Sequence, residues 1–309
     1  MRYYAHGKLL ISGEYLVLNG ALALAIPARF GQSLEVMEKP EGNDLHWISR
    51  DHQGKTWADV VFSKKDLQAY RETLKTIDAE SLEFVQQLLQ FIRIKHPAVL
   101  QRSGTVELVH TLEFDRNWGL GSSSTLIANM AAWSGMDAFE LNNALTGGSG
   151  YDIACAISPS PVLYKIDGEG PVFDTVNFTP PQPEQLFFIH LNQKQNSKAA
   201  VEKFKAGKGK YENEIEIISE ISEALLFCDD FGDFIQLLDE HEEVMQFVLQ
   251  EEKIKSARFP DFHGAVKSLG AWGGDFILAA SEMPPADIKK YFQEKGFPVI
   301  LGYNEMALK

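Results

Sequence analysis

The sequence predicts an α+β protein built from two domains. Strand-like and helix-like segments mix along it without the strict βαβ alternation of a doubly wound sheet. A length of 309 residues suits two domains or one large one. The proline-rich stretch TPPQP at 179–183 reads as a connection, which gives boundaries of 1–178 and 179–309.

Taken in order, residues 2–5 and 8–11 are rich in Tyr, Leu and Ile and read as strands. Leu22–Ile26 is an apolar run and Gln32–Val36 alternates in part, with Gly13, Gly20 and Pro27 as punctuation. Strand-like pieces follow at 45–50 and 55–62. Val85, Leu88, Leu89 and Ile92 fall at i, i+3, i+4 and i+7, the stripe of an amphipathic helix over 80–95 that Pro97 closes. Thr105–Leu112 makes another strand. Helices are expected from Ser123 to Ser134 and over Ala138–Leu145, and a glycine-rich turn at 146–150 leads into Tyr151–Ala156. Pro161–Lys165 is an exit strand. The second half gives a strand at 186–191, a polar turn at 192–197, helices at 211–228 and 231–250, and helical character at 260–269. A glycine-rich turn then enters a strand within 269–280, before a helix at 285–294 and a strand at 297–302.

Composition narrows the function. Hydrophobic residues make up 45% and charged residues 23%, as in an ordinary globular protein. No apolar run reaches the roughly 18 to 20 residues that cross a bilayer, and the N-terminus lacks the pattern of a signal peptide, so a cytoplasmic location is the expectation. A formal charge of −14 repels phosphate backbones and anionic lipid, which argues against nucleic acid or membrane as partners. Any site for a small anion must then be built from backbone amides, a metal ion and a few local cations. Cys155 and Cys228 are too few for a disulfide framework and read as buried free thiols in helical segments. The eight histidines show no zinc spacing.

The most informative stretch is NWGLGSSSTLIAN at 117–129. A glycine-rich loop ahead of a helix N-terminus points several backbone N–H groups at one place, and the helix end adds partial positive charge. A phosphate chain is the natural guest. The serines can ligate magnesium or cap the helix. Neither GxxxxGK(S/T) nor GxGxxG is met, and a capped helix after a flexible loop is the plain structural alternative.

Three further stretches accompany this loop. HGKLLISGEYLVLNG at 6–20 resembles the first motif of the GHMP kinases, the superfamily of galactokinase, homoserine kinase, mevalonate kinase and phosphomevalonate kinase. GLGSSST at 119–125 resembles their second motif, LGAWGGDF at 269–276 their third, and SGYD at 149–152 the Ser-Gly-x-Asp of the mevalonate branch. The four motifs occur in the family's order over nearly the whole chain. The resemblance implies an N-terminal domain like the second domain of a ribosomal protein and a ferredoxin-like C-terminal domain, with ATP and Mg2+ as cofactors. It implies a small-molecule substrate and ATP as partners and leaves a homodimer open.

By this resemblance the backbone of Gly119, Leu120, Gly121, Ser122, Ser123 and Ser124 holds the nucleotide phosphates. Ser123 is the first choice of magnesium ligand, with Ser122 and Ser124 as rivals. Asp152 is the catalytic base, a helix N-cap being its structural alternative. Lys8 stands beside it, or is an ordinary lysine at a strand end, and Glu14 pairs with Lys8. Glu140 lies near the spacing of a second magnesium ligand, although a solvated helix position explains it as well. Lys194, Ser197 and Gly273 fall where the family approaches its substrate. Trp118, Thr125, Trp272 and Asp275 depart from the family pattern.

For the acceptor, Gly-Glu-Tyr in the first motif and GSGYDIACA at 148–156 look nearest to phosphomevalonate kinase. Arg29, Lys8 and Lys194 are the cations that can meet a carboxylate or phosphate on it. A mevalonate-pathway acid, mevalonate or its 5-phosphate, is the expected substrate. The rivals are a diphosphomevalonate decarboxylase-like lyase and a nucleotide-binding regulator without chemistry.

Overall fold

Two long strands open the chain, where the sequence had suggested four short ones. In this computed structural model, which describes residues 1–74, 77–101, 103–193, 197–206 and 209–308, β1 is Arg2–Ser12 and β2 is Ala23–Lys39. Pro27 lies inside β2, where the strand changes partners. Residues 23–25 pair with one neighbour and 32–39 with another, so the missing N–H breaks neither ladder.

β3 (Asp44–Arg50), β4 (Thr56–Ser63) and β5 (Ala69–Leu74) follow. Helix α1 (Ala79–Lys95) begins at Asp78, whose carboxylate accepts from the Ser81 amide at 2.7 Å, and it buries the expected stripe. A short α2 (Pro97–Leu100) starts at the proline that ends α1. Then come β6 (Thr105–Leu112), α3 (Ser122–Ser134), α4 (Ala138–Leu145) and α5 (Tyr151–Ile157). β7 (Val162–Asp167) and β8 (Gly170–Thr175) form a hairpin. The second half runs β9 (Leu186–His190), α6 (Ser197–Ala206), α7 (Glu212–Phe227), α8 (Phe231–Leu249), α9 (Ile254–Arg258), β10 (Ala265–Leu269), β11 (Phe276–Ala280), α10 (Pro285–Glu294), β12 (Ile300–Gly302) and α11 (Tyr303–Met306).

The chain divides into two compact units interleaved along the sequence. The first holds residues 1–7, 30–116 and 121–157, and the second holds 8–29, 117–120 and 158–309. In the first unit the strands run in the order β5-β4-β3-β6-β2, antiparallel except for β3 beside β6. Its core joins Trp47, Phe62 and Leu108 of the sheet to Leu88, Ile92, Ile127 and Met130 of α1 and α3. Helix α3 packs against α4 and α5. In the second unit a four-stranded antiparallel sheet, β10-β11-β9-β12, carries α8 and α10. The α+β class predicted by the mixed pattern is the one observed.

Two expectations are corrected here. The helical character read at 260–269 is instead a turn over 260–264 followed by strand β10, whose five residues are all buried. A short run buried on both faces has no period that separates strand from helix. Cys155 is a buried thiol as expected, but Cys228 sits just beyond α7, partly exposed, with Sγ donating to the Asp230 carbonyl.

Candidate active site

In the first unit, α3 begins at Gly121, a left-handed N-cap (φ 87°, ψ 48°) whose helix end no side chain caps. Only glycine adopts this conformation at little cost, and its amide-rich first turn is left open to a guest. The three serines behind it differ. Ser124 is buried and its hydroxyl donates to the Gly121 carbonyl at 2.8 Å, whereas Ser123 is exposed and Ser122 half-buried. Thr125, a departure from the family loop, donates to Gln32 Oε1 at 2.7 Å, and Asn129 donates to the Gln32 carbonyl at 2.8 Å. These two bonds tie α3 to β2.

Asp152 lies in the first turn of α5, after Gly147 and Gly150 in left-handed conformations. It is half-buried, and its Oδ1 lies 3.0 Å from the Ile153 amide. Glu140 has other company: in the exposed first turn of α4 its carboxylate pairs with Lys95 at 2.7 Å, while its own amide donates to Asp137. That engagement on an exposed helix turn fits the solvated-position alternative given for Glu140. Among the described residues, no group of three or more His, Cys, Asp or Glu could hold a metal ion.

In the second unit, the Lys8 amide donates to the Leu120 carbonyl at 3.0 Å, which fixes the motif lysine beside the start of the loop. Lys8, Trp118, Gly119, Gly270, Asp275 and Phe276 line one small recess. Trp118 stands edge-on to Phe276 with ring centroids 5.7 Å apart, and His190 Nε2 lies 3.2 Å from the Asn117 carbonyl. Gly119 has φ 63°, and a Cβ there would fall 1.9 Å from Asp275 Oδ2. Gly273, in the third motif, needs glycine for its φ of 65° alone, since a Cβ would meet nothing.

Glu14 is buried, and its partners are Lys267 at 2.6 Å and His241 at 3.0 Å. The resemblance pairs Glu14 with Lys8; in the second unit its carboxylate lies against Lys267 and His241. Lys267 occupies the middle of buried β10, and Glu242 completes the group at 3.9 Å. Burial works against the Glu14 charge, but the Lys267 ammonium and His241 outweigh it and hold the carboxyl down at about 2. Glu242 is pushed up to about 8, chiefly by burial. The next residue along the first motif, Tyr15, has φ 58° and ψ −48°, and the Leu16 amide donates to the Glu14 carbonyl at 2.6 Å. This is a γ-turn of the strained kind. The Tyr15 hydroxyl accepts from the Trp272 amide at 2.9 Å, so the first and third motifs are joined directly. Trp272 also donates through Nε1 to the Glu252 carbonyl, which accounts for a bulky residue in a glycine turn.

Arg29 donates to the Asn304 carbonyl at 2.9 Å. Lys194 lies outside the described residues, as does the side chain of Ser197, whose backbone begins α6. Sequence reasoning missed Lys267, His241 and Glu242 as a group, and passed over Asp275 as an interruption. One signal was present: a lysine centred in the apolar run AVKSL demands a buried counter-charge if that run is a core strand.

Whole-chain comparison supplies the remaining observation. The Methanococcus jannaschii mevalonate kinase superposes with a TM-score of 0.72 at 15% identity, over 100% of this chain and 98% of that one. The fold is that of the GHMP kinases. The Streptococcus pneumoniae phosphomevalonate kinase in complex with phosphomevalonate and AMPPNP has a similar fold (TM-score 0.71, 17% identity, 98% and 99% covered). A D-glycero-D-manno-heptose 1-phosphate kinase from Bacteriodes thetaiotaomicron matches as well (0.65, 14%, 99% and 95%). No protein-family model and no curated protein sequence matches the chain. At these identities the likeness establishes the GHMP fold, and no described helix is long and apolar enough to cross a membrane.

Proposed function

We propose that the protein is an ATP-dependent small-molecule kinase that transfers the γ-phosphoryl group to a mevalonate-pathway acid, mevalonate or its 5-phosphate. The observation that carries this reading is the uncapped, Gly121-initiated α3 in a chain with the GHMP kinase fold. Open first-turn amides and a helix dipole are what a triphosphate requires from a protein with so negative a net charge. The backbone from Gly119 to Ser124 holds the β- and γ-phosphates as preorganised donors.

Phosphoryl transfer asks for alignment, charge neutralisation and a destination for the acceptor proton. Asp152 receives that proton when the acceptor is a hydroxyl. Lys8 balances charge that develops on the transferring group. Ser123 fits a magnesium ligand better than Ser124, because its hydroxyl is exposed while that of Ser124 is spent on Gly121. Mg2+ is usually bound by one or two protein groups together with substrate phosphates, so the lack of a carboxylate cluster among the described residues suits it. When bound, the ion would neutralise phosphate charge. Such an enzyme works where ATP is supplied, in the cytoplasm.

The Gly-Glu-Tyr of the first motif and the GSGYD turn support the mevalonate branch. The likeness to a heptose phosphate kinase makes a sugar phosphate the competing acceptor. ADP release measured with mevalonate, phosphomevalonate, a heptose phosphate, homoserine and galactose tests the proposal. Turnover is expected with one of the first two. Turnover with the sugar alone would overturn the acceptor, carbon dioxide release would make the protein a decarboxylase, and no acceptor-dependent ADP would end the kinase reading.

A further inference from the structure

We propose that Asp275 is a positioning residue of the Lys8 recess, holding both the Gly119 turn and the direction of the Lys8 ammonium. The inference rests on the reading of Lys8 as a group that faces phosphate.

Asp275 is 8% exposed, so its carboxylate has been taken out of water and needs compensation close at hand. It lines the same small recess as Lys8, and Lys8 Nζ lies within 3.5 Å of the place where a Cβ on Gly270 would stand. A cation and a carboxylate thus line one small recess, with two glycines keeping the backbone thin around them. Against Gly119 the fit is tighter still: the Asp275 carboxylate occupies the volume that any side chain at 119 would need. The main chain on either side is anchored. The Asp275 carbonyl accepts from the Leu191 amide at 2.9 Å, and the neighbouring Phe276 packs against Trp118.

Glu14, the carboxylate that the resemblance offered as the Lys8 partner, lies against Lys267 and His241. Asp275 brings a carboxylate to the Lys8 recess from the third motif. A carboxylate beside a lysine keeps the amine protonated and limits where it points. Direct contact between Asp275 and a nucleotide phosphate would be repulsive, so its action runs through Lys8 and the loop.

The test is amine labelling of the intact protein by an acylating reagent, with Lys8 modification followed by mass spectrometry, which needs no activity. Asp275→Asn should raise the Lys8 labelling rate about fivefold or more near neutral pH, because losing the neighbouring charge frees the amine. It should also weaken ADP binding measured by calorimetry, with thermal stability little changed. An unaltered Lys8 rate would overturn the proposal. Faster labelling in a protein that binds no nucleotide even as wild type would uphold Asp275 and sink the kinase reading instead. Should Asp275→Asn not fold, a cycle of Gly119→Ala, Asp275→Gly and the pair decides. The clash predicts that Asp275→Gly recovers part of the melting temperature lost by Gly119→Ala, and additive losses would overturn the proposal.

Discussion

Glu14 Oε1 lies 2.6 Å from Lys267 Nζ, and neither side chain reaches solvent. The pair joins the turn of the first motif to the strand that feeds the third. Removing one member leaves the other buried without compensation. Lys267→Met alone should therefore cost about 3–5 kcal/mol. Lys267→Met with Glu14→Gln should cost clearly less than the sum of the two single changes, because the charge left over is gone. Denaturant unfolding of the three variants measures the coupling.

The same group carries a pH signature. Near neutrality Glu14 is charged, while burial keeps Glu242 protonated, its carboxyl titrating at about 8, and keeps His241 neutral. An unfolded Glu loses its proton near 4.5. The folded chain therefore holds more protons on Glu242 than the unfolded chain from 4.5 up to 8, and stability falls with rising pH over that window. His241 opposes this only below 6.5, where its folded form binds fewer protons. Between pH 6.5 and 8 the Glu242 slope stands clear. Glu242→Gln should flatten the decline in melting temperature over that interval, and an equally steep decline would rule out a buried neutral Glu242.

Much of this arrangement is written locally in the sequence. The stripe Val85, Leu88, Leu89 and Ile92, the Asp78 cap and the glycine loop before Ser122 are each set by neighbours within a few residues. Their elements are legible for that reason. The buried group was not, because Glu14, His241 and Lys267 are brought together across more than two hundred residues and no short-range pattern reports it. β10 escaped for a related reason: a strand buried on both faces loses the alternation that would mark it. Asp275 stood in plain view in LGAWGGDF but looked like a flaw in a glycine motif until its contact with Gly119 gave it work.

Tyr15 is held in its strained γ-turn partly by what its hydroxyl does for Trp272. Tyr15→Phe keeps the ring beside Phe204 but deprives the buried Trp272 amide of its acceptor. A loss of about 1–3 kcal/mol is expected in thermal or denaturant unfolding. A neutral result would mean that the third-motif turn holds its shape without the tyrosine.

The serines of the loop should separate by function. Ser124→Ala removes a bond to the Gly121 carbonyl within the turn, at a cost of about 1 kcal/mol in stability. Ser123→Ala removes an exposed hydroxyl and should leave stability unchanged while raising the Mg2+ concentration needed for half-maximal turnover. A magnesium titration on each variant decides, and the reverse pattern would move the ligand role to Ser124.

Asp152→Asn tests the proposed base most directly. The amide cannot take up the acceptor proton, yet it preserves the shape of the first turn of α5 and its contact with the Ile153 amide. General base catalysis contributes about 10²- to 10⁴-fold, so turnover with a hydroxyl acceptor should fall by that order while ADP affinity holds. Glu140→Gln provides the contrast on the same unit. It breaks only the exposed pair with Lys95, worth about 0–1 kcal/mol, and should alter neither turnover nor magnesium dependence. A phosphate oxygen as acceptor is already deprotonated near neutral pH and asks far less of a base, so a shallow loss in Asp152→Asn beside full activity on a phosphorylated acid would favour the 5-phosphate over mevalonate. Full activity on a hydroxyl acceptor would instead remove Asp152 from the mechanism.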